Sequence, residues 1–117
     1  MPFDAMPVIP QVVLDLIAAR NFLEDHGWCK HTLKNGDARC LAGAIREVTA
    51  EGDLRIKTPR SVAAERAVTD TINANRRSLY RTSIARFNDR RSTTFSDVKL
   101  MLEKAVANEL AKEKVYG

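Results

Sequence analysis

No run of apolar residues in this 117-residue chain approaches the ~18 positions that a membrane-spanning helix needs. Its opening, "MPFDAMPVIPQ", carries no basic segment ahead of the apolar residues and so lacks the form of a secretory leader. These absences predict a cytoplasmic protein, where the two cysteines stay reduced. Glycine is scarce, with five residues, and no Gly-rich phosphate loop or dinucleotide fingerprint is present. Helix-turn-helix signatures and paired catalytic carboxylates are also lacking, the carboxylates falling singly along helix surfaces. There is no internal repeat and no low-complexity segment, so solenoid and linker classes are excluded.

What is present is globular. Hydrophobic residues make up 44% and charged residues 29%, and the length fits one domain over residues 1–117. A chain of this size buries roughly two-thirds of its unfolded surface and needs no disulfide to fold. The net charge of +4 is unevenly spread. Residues 54–91 hold ten Lys/Arg against three acids, a local +7, while the remainder holds nine against twelve, a local −3. Nine of those ten are arginine, suited to forked contacts with phosphate or carboxylate. Arg76, Arg77, Arg81 and Arg86 are the candidate nucleic-acid contacts; a solvated arginine face is the alternative.

The hydropathy pattern predicts helices. Pro2, Pro7 and Pro10 keep residues 1–10 extended. Val12, Leu16, Ala19 and Leu23 stripe a first helix from Gln11 to about Asp25, which Gly27 ends as a left-handed cap. Asn35-Gly36 marks a turn between Cys29–Leu33 and Ala38–Cys40, a short two-stranded ribbon. A second helix, about Cys40–Ala50, carries Leu41, Ala44, Ile45 and Val48 on one face, with Gly52 closing it. Thr58-Pro59 opens a third, running to about Asn75, whose thin stripe of Val62 or Ala63, Ala67, Val68, Thr71 and Ile72 predicts a peripheral helix. Leu79, Tyr80, Ile84 and Phe87 add core residues from an irregular piece, with Ser83 capping a short turn. Thr94 and Asp97 start the last helix, Phe95 to about Lys114, striped by Val98, Met101, Leu102, Ala105, Val106 and Leu110. The expected fold is all-α, four to five helices with a ribbon near residues 28–40. Its expected core is Leu16, Leu23, Trp28, Leu41, Ile45, Phe87, Val98, Leu102 and Val106.

One stretch concentrates the reactive side chains. "HGWCKHTLKNGDARCLAGAI", residues 26–45, holds both cysteines, both histidines and the one tryptophan. His26, Cys29, His31 and Cys40 are zinc-type ligands, but their order, H-x2-C-x-H-x8-C, is not two closely spaced pairs, so no metal site and no cofactor is expected. Cys40 stands at a helix start, where the dipole lowers a thiol pKa, and His31 across the ribbon is its one available base.

"HGWC", "GDARCLAGAI", "IARFND" and "TFSDVKLMLEKAV" together resemble a family of small bacterial and phage proteins classed as a domain of unknown function. The resemblance runs from Asn21 to Val106. It rests on Gly27, Trp28, Cys40, Leu41, Gly43, Ala44, Asn88, Asp89 and Val98, with Phe87 where that family more often has tryptophan. It implies no activity. Of the four soft ligands it includes only Cys40, which weakens the metal and nucleophile readings alike. Cys40, Asn88 and Asp89 are then the candidate polar site, structural or functional. Asn88 or Asp89 is expected to cap a helix start at Leu41 or Phe95. Three functions follow as expectations: a regulatory or interaction domain with a protein partner, a nucleic-acid-binding accessory using residues 54–91, and a Cys40-dependent enzyme.

Overall fold

The computed structural model describes residues 8–50, 53–74 and 81–116, with side chains through Lys112. Among these residues the chain forms five helices and a two-stranded antiparallel ribbon: α1 (Gln11–His26), β1 (Lys34–Asn35), β2 (Ala38–Arg39), α2 (Leu41–Thr49), α3 (Pro59–Asn73), α4 (Ile84–Asp89) and α5 (Phe95–Tyr116). The all-α expectation with one ribbon holds.

Local chemistry sets the boundaries. Pro10 precedes α1 in extended backbone (ψ 145°), and its carbonyl takes the first helical bonds, from Val13 and Leu14. Gly27 ends α1 at φ 101°, its N–H donating 2.8 Å to the Leu23 carbonyl. Its ψ of 162° departs from the left-handed cap predicted, because the chain runs straight on into extended pairing. Thr58 opens α3 with a reciprocal cap: its hydroxyl accepts from Ser61 N–H at 3.1 Å while Ser61 Oγ accepts from Thr58 N–H at 2.8 Å. Ser83 caps α4 through Arg86 N–H, and Thr94 and Asp97 form the same reciprocal pair at α5 (3.2 and 2.9 Å). Asp97 reaches back as well as the usual Glu because both bonds stay within normal length.

The hairpin loop falls one residue later than Asn35-Gly36. Asn35 pairs with Ala38, leaving Gly36-Asp37 as the turn, with Gly36 at φ 61°. Cys29–Leu33 does not enter the ribbon. Trp28 instead forms a parallel bridge with Arg39.

Leu16, Leu23, Leu41, Ile45, Val98 and Leu102 are fully buried, with Phe87 and Ile84 close behind. Two expected core residues are only half-buried. The ring of Trp28 packs against the edge of the core, near-parallel to Phe95 (6.1 Å between centroids), with the Lys30 ammonium 5.4 Å from its centre. Val106 lines a shallow apolar hollow between α1 and α5. The third helix is not peripheral. α3 packs on α1, α2, α4 and α5, with Ala64 and Val68 fully buried and Val62 and Ala63 facing out. Its buried face is small side chains (Ser61, Ala64, Ala67), which let helix backbones approach closely rather than marking a surface helix. Leu79, Tyr80, Asn75 and Gly52 lie outside the described residues.

Candidate functional site

At the centre of the corner at residues 27–43 is the side chain of Asn88. Its carbonyl oxygen accepts from the Trp28 indole N–H (2.6 Å) and from Leu41 N–H (3.0 Å), a donor at the start of α2 with no intrahelical partner. Its amide donates to the Cys29 carbonyl (3.1 Å) and to Asp89 Oδ1 (2.9 Å). The residue is fully buried, and these four bonds use all of an amide's usual capacity. Asn88 thus provides the expected cap at Leu41.

Asp89 continues the seam. Its Oδ1 also accepts from His31 N–H at 2.8 Å, and its Oδ2 lies 3.9 Å from His31 Nδ1. Lys30 adds a bond to the Arg90 carbonyl at 2.7 Å. His31 sits at φ 69°, a left-handed conformation uncommon for histidine, pinned by the carboxylate at its N–H. Burial works to raise the Asp89 carboxyl. The His31 N–H, the Asn88 amide and the nearby His31 and Lys30 charges outweigh it, so the group lies below the usual carboxylate range.

Cys40 is the N-cap of α2, its sulfur accepting from Gly43 N–H at 3.3 Å and its own N–H donating to the Leu33 carbonyl at 3.2 Å. Gly43 is required by that crossing: a Cβ there would stand 2.3 Å from the Leu33 oxygen. Desolvation pushes the Cys40 thiol up, more than the hydrogen bonds from Gly43 and Ala42 pull it down. Burial likewise raises Cys29, with Cys40 adding to the effect. A catalytic thiol that is to be nucleophilic at neutral pH needs the opposite shift.

Two adjoining concavities open beside this seam. One, of about 220 Å³, is lined by His31, Leu33, Cys40, Arg46, Ala85 and Asp89 among others. The second, a cleft of about 540 Å³ between α2, α3 and α4, shares Ala42, Arg46 and Ala85 with it. Val62, Ile84, Ala42 and Ala85 give the cleft an apolar floor, and Lys57, Arg66 and Arg81 stand around it. Arg46 is held by Glu65 at 3.3 Å and by the Leu54 carbonyl at 3.0 Å; Arg81 is held by Asp70 at 2.8 Å.

The structure therefore brings Cys40, Asn88 and Asp89 together and adds His31 to them. Arg81 reaches the cleft, whereas Arg86 is exposed on α4 and is not among the residues lining it. Arg76 and Arg77 lie outside the described residues. The four soft ligands do not converge. His26 stacks on Phe22 (4.2 Å between centroids), and among the described residues no three His, Cys, Asp or Glu side chains group as a metal would require. Sequence reasoning missed Arg46, Lys57 and Arg66 as lining residues. They come from three segments, and only the surplus of charge in residues 54–91 hinted at two of them.

No curated protein and no solved structure matches the chain. A family model matches residues 9–108, a span holding the Asn88 seam, the Cys40 corner and the whole cleft. The chain belongs to DUF6197, a family of unknown function.

Proposed function

We propose that this domain is a non-enzymatic interaction module, and that the cleft between α2, α3 and α4 receives an acidic segment of a protein partner that carries one apolar side chain. The observation that carries the reading is the composition of the cleft. An apolar floor that includes Val62, 41% exposed, lies beside two cations, Lys57 and Arg66, that have no acidic partner among the described residues. Concave sites with an apolar base and a few placed polar groups are where proteins take ligands. Arg46 and Arg81 are already paired with Glu65 and Asp70, which fixes them as walls and leaves a modest positive balance. Nucleic acid is the second reading, favoured by the same cations and by the +7 carried by residues 54–91. Against it stands the interleaving of Glu65 and Asp70, which a phosphate backbone would have to pass.

Selection from a random peptide library tests the proposal. Wild-type protein should enrich peptides with one large apolar residue flanked by Asp or Glu. A Lys57→Glu, Arg66→Glu variant should lose that enrichment while melting within a few degrees of wild type. Enrichment indifferent to both substitutions refutes the cleft reading. Binding of random duplex DNA or RNA that weakens steeply with salt and is lost in the same variant selects the nucleic-acid reading.

A further inference from the structure

We propose that Cys29 and Cys40 form a reversible disulfide site, closed by thiol–disulfide exchange with a low-molecular-weight disulfide. The two cysteines stand in register across a backbone bridge. Arg39 N–H donates to the Gly27 carbonyl (3.1 Å) and Cys29 N–H to the Arg39 carbonyl (3.0 Å), which is the bonding of a parallel bridge centred on Trp28 and Arg39. Cys29 and Cys40 are the next residues on the two strands, so their side chains leave the same face of the bridge. Neighbouring strands run about 4.8 Å apart, within the Cα separations, roughly 4.4–6.8 Å, that a disulfide spans. Hydrogen bonds place both residues against successive carbonyls of one short segment, Thr32-Leu33. The Cys29 thiol donates to the Thr32 carbonyl (3.6 Å), and Cys40 N–H donates to the carbonyl of Leu33, the next residue (3.2 Å). Both cysteines are free, and they are the chain's only two.

Exposure orders the steps. Cys29 is half-buried and Cys40 buried. The Cys29 thiolate attacks one sulfur of the small disulfide RS–SR, forming a Cys29–SR bond and releasing RS⁻, which takes up the proton Cys29 gave up. The Cys40 thiolate then attacks the Cys29 sulfur, forming the protein disulfide and releasing the second RS⁻, which takes up the Cys40 proton. Two protein thiols are oxidised and one small disulfide is reduced to two thiols. Burial holds both protein thiols above their ordinary range, so the exchange is slow at neutral pH and quickens in alkali. Neither cysteine is among the residues lining the cleft.

Reduced full-length protein is incubated anaerobically with oxidised glutathione at mildly alkaline pH and followed by intact mass, thiol titration and peptide mapping. The expected product is a monomer two hydrogens lighter, with both thiols lost and the Cys29 and Cys40 peptides cross-linked. Cys40→Ser retains a preferred N-cap oxygen and should stop at a stable glutathione adduct on Cys29. Cys29→Ser should leave Cys40 unmodified until the chain is unfolded. A lasting adduct on wild-type Cys29 with Cys40 still free, an intermolecular dimer, or two thiols that stay unreacted in native protein overturns the proposal.

Discussion

Replacing Asn88 with alanine should remove more stability than any other single polar change in the corner. The side chain is fully buried and makes four hydrogen bonds. Alanine strands the Leu41 N–H, the Trp28 indole N–H and the Cys29 carbonyl, and a buried polar group left without a partner costs about 1–3 kcal/mol. Trp28 and Cys29 are half-buried, so water relieves part of their loss and each belongs at the low end. Leu41 is fully buried and takes a larger share. The sum is about 3–5 kcal/mol, a large part of the 5–15 kcal/mol typical of a domain. In a chain of this length that lowers the melting temperature by about 10 °C or more. Trp28→Phe is the paired control. It keeps a ring against Phe95 and deletes one donor while Asn88 still holds Leu41, so it should cost about 1 kcal/mol. Urea unfolding followed by far-ultraviolet circular dichroism measures both. Fluorescence of the one tryptophan adds a local probe for the alanine variant. A loss below about 1 kcal/mol for Asn88→Ala, or a Trp28→Phe loss as large as the Asn88→Ala loss, would refute the account of Asn88 as the tie between α4, the corner and α2.

Two further outcomes follow from the same geometry. Gly43→Ala places a Cβ 2.3 Å from the Leu33 carbonyl oxygen, a backbone atom that cannot rotate away, so it should cost about 2–3 kcal/mol despite alanine's better helix propensity; a neutral or stabilising result in the same urea assay removes the close crossing from the argument. Asp53, Asp89 and Asp97 all have carboxyls held below their ordinary range, Asp53 and Asp97 first by the Arg55 and Thr94 backbone N–H groups. A carboxylate with a depressed folded pKa contributes stability that is complete above the unfolded value, about 4, and is lost as pH falls through the folded value. Melting temperature should therefore drop below about pH 4, and less steeply in Asp97→Ala, whereas a melt unchanged down to pH 2 contradicts the three hydrogen-bond assignments.

The helices were legible because their cause is local. The stripe of Leu16, Ala19 and Leu23 and the caps at Thr58, Ser83 and Thr94 depend on residues within a turn or two of each other. Where the reading slipped, the cause was tertiary. α3 read as peripheral because alanine and serine carry little hydrophobic signal, yet small side chains are what a helix packed against four others needs. Asp15, which the hydropathy stripe of α1 does not single out, is buried and paired with Arg60, which stands 45 residues away. The described arginines of residues 54–91 are divided between acidic partners and open surface. Arg60 and Arg81 are turned to Asp15 and Asp70, and only Lys57, Arg66 and Arg81 of the described cations in that segment line the cleft.

The candidate polar site shows the limit most clearly. Asn88 and Asp89 drew attention as a dipeptide, and nothing in their neighbourhood names their partners, which lie 47 to 60 residues earlier. The geometry separates two roles that the sequence had merged. Asn88 spends its whole bonding capacity on the fold and has none left for a ligand. Asp89, His31 and Cys40 keep atoms on a cavity wall, and that cavity adjoins a cleft whose floor is set by Ala42 and Ala85, on the same two helices that Asn88 ties together. By fixing the start of α2 against α4, the seam sets the two helices that carry Ala42 and Ala85 to the cleft wall, and a change at Asn88 should alter the cleft only to the extent that it loosens the fold.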